Sequence, residues 1–79
     1  MPGDPVSVNW TAHALAKAQQ LGYARGDVES KLLGRHGERR RNQGEADWRL
    51  SAAQLVILYN HPDGDGPLAA RIVTIWRRR

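Results

Sequence analysis

The sequence predicts an α+β domain in which two N-terminal helices pack on one face of a four-stranded antiparallel sheet. Two helix-period segments lie on either side of Gly22, and after Gly34 the periodicity becomes extended. Two strong strand segments, Gln54–Asn60 and Ala69–Arg77, then flank a loop dense in turn formers. Helices followed by strands build an α+β layer. No element is left over to cover the second face of the sheet, so that face is expected to be open.

The chain is 79 residues long, enough for one small domain with a thin core. We assign residues 1–9 to a flexible leader and 10–79 to the domain. Pro2, Gly3 and Pro5 oppose regular structure at the start, and Val6–Trp10 is a candidate short extended piece. Thr11 has the hydroxyl of an N-cap, and the alanine-rich run behind it predicts a helix over Ala12–Leu21 that stops at Gly22. Ala14, Leu15, Ala18 and Leu21 share its buried stripe, and His13, Lys17 and Gln20 line up on a polar face. That polar face serves equally as solvated surface or as an anion-meeting surface.

The second helix is expected from about Arg25–Asp27 to Leu33. Tyr23 and Val28 have the spacing of a hydrophobic staple, Asp27 and Glu29 suit the positive end of the dipole, and Gly34 suits a left-handed stop. Val28, Leu32 and Leu33 are expected to face the core. Arg35–Arg41 reads as a strand of almost no apolar content, Asn42–Gly44 as a turn, and Glu45–Leu50 as a strand with Trp48 and Leu50 on one side and Asp47 and Arg49 on the other. Gln54–Asn60 is apolar on both faces and therefore central, paired antiparallel with the β-branched run in Ala69–Arg77. The facing of that last strand stays open, because a one-residue bulge would exchange the side holding Thr74 with the side holding Arg71.

The absence of cysteine leaves neither a disulfide framework nor a thiolate metal site. His61, Asp63 and Asp65 sit in the loop His61–Pro67, which lacks the further ligands of a calcium loop and reads as a hairpin connection; no metal and no cofactor are expected. The longest apolar run, Leu55–Tyr59, falls far short of the roughly 20 residues of a membrane span. No signal-peptide pattern is present, and a cytoplasmic location is expected. A net charge of +4 and a pI near 10.4 favour a polyanionic partner, RNA or an acidic protein.

The motifs Trp10-Thr11-Ala12-His13-Ala14, Gly22-Tyr23-Ala24-Arg25-Gly26-Asp27-Val28-Glu29 and Ala70-Arg71-Ile72-Val73-Thr74-Ile75-Trp76-Arg77 resemble a family of small bacterial domains of unknown function. More distantly, they resemble the RelE and BrnT toxins and the barnase, EndoU, colicin and RelE group of metal-independent ribonucleases. The resemblance spans about Trp10–Arg77 and departs at Ala24, where the family prefers a serine cap. It implies a RelE-like fold, marks His13, Arg41, Arg49 and Thr74, and implies an antitoxin-like acidic partner.

The first function expected is a toxin-type RNA endonuclease. Metal-free cleavage needs a base for the 2′-hydroxyl, an acid for the leaving oxygen and cations for the phosphorane. His13 is the first candidate acid or base and Tyr59 the second. Lys17, Arg41 and Arg49 are placed to hold phosphate, with Thr74 beside them by resemblance. His13 serves equally as a capping or packing residue. Arg35, Arg39, Arg40, Arg41, Arg71 and Arg77 form the expected RNA-binding set. The alternative is a noncatalytic basic module for nucleic acid or an acidic protein, which needs only the arginines. The apolar load on the two strong strands also makes a homodimer an expectation.

Overall fold

The computed structural model describes residues 5–61 and 68–78. The elements in order are β1 (Ser7–Trp10), α1 (Ala12–Leu21), α2 (Arg25–Arg35), a 3₁₀ turn (His36–Glu38), β2 (Arg40–Arg41), β3 (Trp48–Ala52), β4 (Leu55–Asn60) and β5 (Ala69–Arg77). The architecture is α+β with two helices, but the sheet is five-stranded and mixed, in the order β1-β5-β4-β3-β2. The expected four antiparallel strands are therefore corrected by β1, which pairs in parallel with β5, Ser7 opposite Ala69 and Trp10 opposite Ile72. Residues 7–9 belong to the sheet and not to a leader. The expected extended piece over Val6–Trp10 was too short to reveal its pairing partner in the sequence.

Thr11 makes the turn from β1 into α1. Its hydroxyl accepts the Ala14 N–H at 3.1 Å and donates to the Val73 carbonyl at 3.0 Å, while its own N–H donates to the Ile72 carbonyl at 3.1 Å. The N-cap predicted from sequence is thus also a clamp between β1, α1 and β5. At the other end Gly22 takes φ 79°, and the Tyr23 N–H reaches back to the Ala18 carbonyl at 2.9 Å, closing α1 with a left-handed cap. Tyr23 and Val28 both join the core, as the staple requires.

The second helix overruns its expected end. Gly34 lies inside it, and the extended segment expected over Arg35–Arg41 is replaced by the last turn of α2, a 3₁₀ turn and a strand of two residues. Two interactions explain the difference. Arg35 donates two hydrogen bonds to Glu38, at 3.1 and 3.2 Å, across one helical turn. His36 is buried, 3% exposed, and its Nδ1 shares a 2.7 Å hydrogen bond with the Tyr59 hydroxyl. A chain that must turn His36 inward cannot run straight. Leu33, expected in the core, is exposed. β3 starts at Trp48 and not at Glu45, because the Asn42 amide donates to the Ala46 carbonyl at 3.1 Å and holds residues 42–46 in a turn.

The core lies between the helices and one sheet face. Ala14, Ala18, Val28 and Leu32 meet Leu50, Leu55, Ile57, Tyr59, Ala70, Ile72 and Ile75. Small alanines on α1 let that helix approach β5 closely. The opposite pairing of Leu58 with Thr74 and of Tyr59 with Ile72 leaves Val73 as the extra residue of a bulge. The bulge settles the facing of β5: Ile72 and Ile75 turn to the helices, and Thr74 and Trp76 to the uncovered side.

Replacing Thr11 with alanine removes the cap and the Val73 bond together. Urea denaturation is expected to show a loss of about 1–2 kcal/mol, with Thr11→Ser retaining most of the stability. An unchanged midpoint for Thr11→Ala would contradict the clamp.

Candidate nucleic-acid interface

Cross-strand register arranges the uncovered face into rows. Arg40, Arg49, Leu58 and Thr74 are successive neighbours across β2, β3, β4 and β5. Ser51, Val56 and Trp76 form the next row, and Asn60, Arg71 and Asn9 another. Strand spacing makes the first row about 14 Å wide from Arg40 to Thr74.

An open groove of about 650 Å³ occupies one side of this face, lined by Glu38, Arg40, Arg41, Arg49, Ser51 and Arg78. Among the described residues that line it, four arginines face a single acid. That acid, Glu38, is already satisfied by Arg35 at 3.1 Å. The hydrogen bond from Arg35 and its charge hold the Glu38 carboxyl below the usual carboxylate range and raise Arg35 in turn. The described lining of the groove therefore presents an excess of positive charge beside a serine hydroxyl, a combination suited to phosphate oxygens.

The cations nominated from sequence divide into two kinds. Arg40 and Arg41 line the groove, and Arg49 joins them. Arg41 pairs with Trp48 and not with Arg49, so its side chain starts on the helix side of the sheet. Its guanidinium lies 4.7 Å from the Trp48 ring centre, with that of Arg39 at 4.2 Å. Arg39 also donates to the His36 carbonyl at 3.2 Å. Arg35 is held by Glu38. Arg77 donates to the Leu21 carbonyl at 3.0 Å, capping the negative end of α1, and stands 5.5 Å from the Tyr23 ring centre. Arg71 is half-buried in the Asn9 and Asn60 row.

Sequence reasoning missed Arg78 and Ser51. The terminal arginines look free to fray, yet the Arg78 N–H donates to the Gln54 carbonyl, so the chain stays in register and the side chain reaches the groove. The signal for Ser51 was its alternation with Arg49 on a strand that ends in a tight turn at Ala53.

The candidate catalytic residues do not converge on one cleft. His13 and Thr74 do meet: Nε2 and Oγ1 are 3.0 Å apart at the exposed edge of β5. Thr74 and Arg49 share a row but lie about 10 Å apart with Leu58 between them. Lys17, half-buried, follows one turn along α1. Tyr59 is fully enclosed in the core on the other side of the sheet. Its hydroxyl meets His36, and His36 packs edge-on at 4.9 Å from the His61 ring, so Tyr59 is removed from the uncovered face.

Among the described residues, no group of three or more His, Cys, Asp or Glu side chains is gathered for a metal ion; Asp63 and Asp65 lie outside those residues. No described helix is long and apolar enough to cross a membrane. Comparison with known protein families, with curated proteins and with solved structures finds no match to this chain.

The division of the arginines is testable by stability alone. Arg77→Ala is expected to cost about 0.3–1 kcal/mol by uncapping α1, whereas Arg78→Ala leaves the thermal midpoint unchanged. Equal losses for both would remove the distinction.

Proposed function

We propose that this chain binds RNA through the uncovered sheet face, with the sugar–phosphate backbone held by Arg40, Arg49 and Arg78 and by the Ser51 hydroxyl. The observation that carries the reading is the groove itself, where four arginines meet one already paired acid. Strands fix the spacing of Arg40 and Arg49, and the bond from the Arg78 N–H to the Gln54 carbonyl holds Arg78 beside them, so the surface has a shape as well as a charge. Counterion release then makes affinity fall with salt. Three phosphate contacts on a single strand predict a slope of log affinity against log salt of about −2. Fluorescence anisotropy with labelled RNA is expected to show that slope for the native chain and a much flatter one for the Arg40, Arg49, Arg78 triple alanine variant. Salt-independent affinity, or binding only to an acidic protein, would contradict the reading.

A second reading, cleavage of the bound RNA, is favoured by the contact between His13 and Thr74. Thr74 orients an exposed imidazole at the margin of the cationic face. In this reading His13 takes the proton of a 2′-hydroxyl, the resulting oxygen attacks the adjacent phosphorus as the bond to the 5′-oxygen breaks, water protonates that leaving oxygen to give an alcohol, and a 2′,3′-cyclic phosphate remains. The motif resemblance to the RelE and BrnT toxins points the same way, and an antitoxin-like acidic protein would then compete for the same arginines. Incubation of RNA with the pure protein in EDTA separates the readings. Cleavage that is lost in His13→Ala, with RNA affinity retained, supports the enzyme; intact RNA with the native chain leaves a binding module.

A further inference from the structure

Trp76 is the aromatic residue that the uncovered face leaves accessible. It is 37% exposed and stands opposite Val56, which is fully buried although neither described helix covers that side of the sheet. Trp76 and Ser51 are the cross-strand neighbours of Val56. The other two tryptophans are committed elsewhere. The Trp10 indole N–H donates to Glu29 at 2.8 Å, and Trp48 donates to the His61 carbonyl at 3.2 Å beneath Arg39 and Arg41. The Trp76 indole N–H has no hydrogen-bond partner among the described residues. Two residues further along the chain, on the same side, Arg78 lines the cationic groove with Arg49 and Ser51.

We propose that Trp76 is a base-stacking platform and that the face selects single-stranded RNA. An unpaired base stacks on the indole while its flanking phosphates lie against Arg78, Arg49 and Arg40. The inference rests on the RNA-binding reading and adds the class of RNA. In a duplex the base faces are covered by their neighbours, so a stacking surface discriminates where a merely cationic one does not. The side chain sits on a paired strand, which limits the ordering cost of presenting it.

The test compares a short single-stranded oligoadenylate, an RNA duplex of equal length and inorganic polyphosphate as ligands. The variants are Trp76→Leu, which keeps an apolar side chain opposite Val56 without a π face, and Trp76→Phe, which keeps a ring; circular dichroism checks that each is folded. The expected result is a roughly 5- to 100-fold loss of oligoadenylate affinity in Trp76→Leu. Most of it returns in Trp76→Phe, and polyphosphate affinity is the same throughout. Equal weakening for all three ligands, no weakening for any, or a native chain that binds duplex as tightly as single strand would overturn the stacking role while leaving RNA binding in place. A native chain that binds polyphosphate but neither RNA overturns both, as does one that binds none of the three.

Discussion

The extra residue at Val73 and the Thr11 clamp upon it determine what the uncovered face displays. A bulge leaves part of the ladder unpaired, and Thr11 takes up the two carbonyls at that point, Ile72 by its N–H and Val73 by its hydroxyl. The same hydroxyl caps α1. One residue thus joins the edge strand, the first helix and the longest strand. Because the bulge shifts the alternation of β5, Ile72 and Ile75 both serve the core while Thr74 and Trp76 both reach the other side. Without the shift, a three-residue separation would turn one of the two isoleucines outward.

The positive charge of the molecule is sorted by the same framework. Arg35, Arg39 and Arg77 hold a carboxylate, a carbonyl and a helix end in turn. They contribute to the long-range field, but each is tied by a hydrogen bond to a partner within the fold. Arg40, Arg49 and Arg78 stand on the groove, where Glu38, the one acid among the described lining residues, is drawn toward Arg35. High net charge attracts any polyanion; a fixed set of guanidinium groups beside a hydroxyl and an exposed indole sets a pattern that only some polyanions match.

Much of the fold was legible because its determinants are local. The Thr11 cap, the Gly22 stop, the staple of Tyr23 and Val28 and the pairing of β4 with β5 all follow from short-range chemistry. What escaped depended on distant contacts. The parallel partnership of β1 with β5 joins residues more than sixty positions apart, and nothing in Ser7–Trp10 specifies it. The inward turn of His36 needs Tyr59, so a run of arginines that looked extended became a helical turn. The site was legible as a cationic open face and only partly in its membership. Arg40, Arg41 and Arg49 line the groove as the sequence suggested, but Tyr59 was drawn into the core and Arg78 was brought in by its bond to Gln54. His13 and Thr74 were singled out together by motif resemblance, and they do touch.

The three indole N–H groups give a direct test of whether RNA meets this face. Two are bonded on or beneath the helix side, to Glu29 and to the His61 carbonyl, and the third, on Trp76, faces outward. Titration with single-stranded oligoadenylate, followed by proton–nitrogen NMR, is predicted to move the Trp76 indole signal together with the amides of Arg49, Ser51 and Thr74. The Trp10 and Trp48 indole signals and the amides of Ala14 and Leu32 should hold still. Shifts concentrated on Trp48 and the helices, with Trp76 unmoved, would contradict the account.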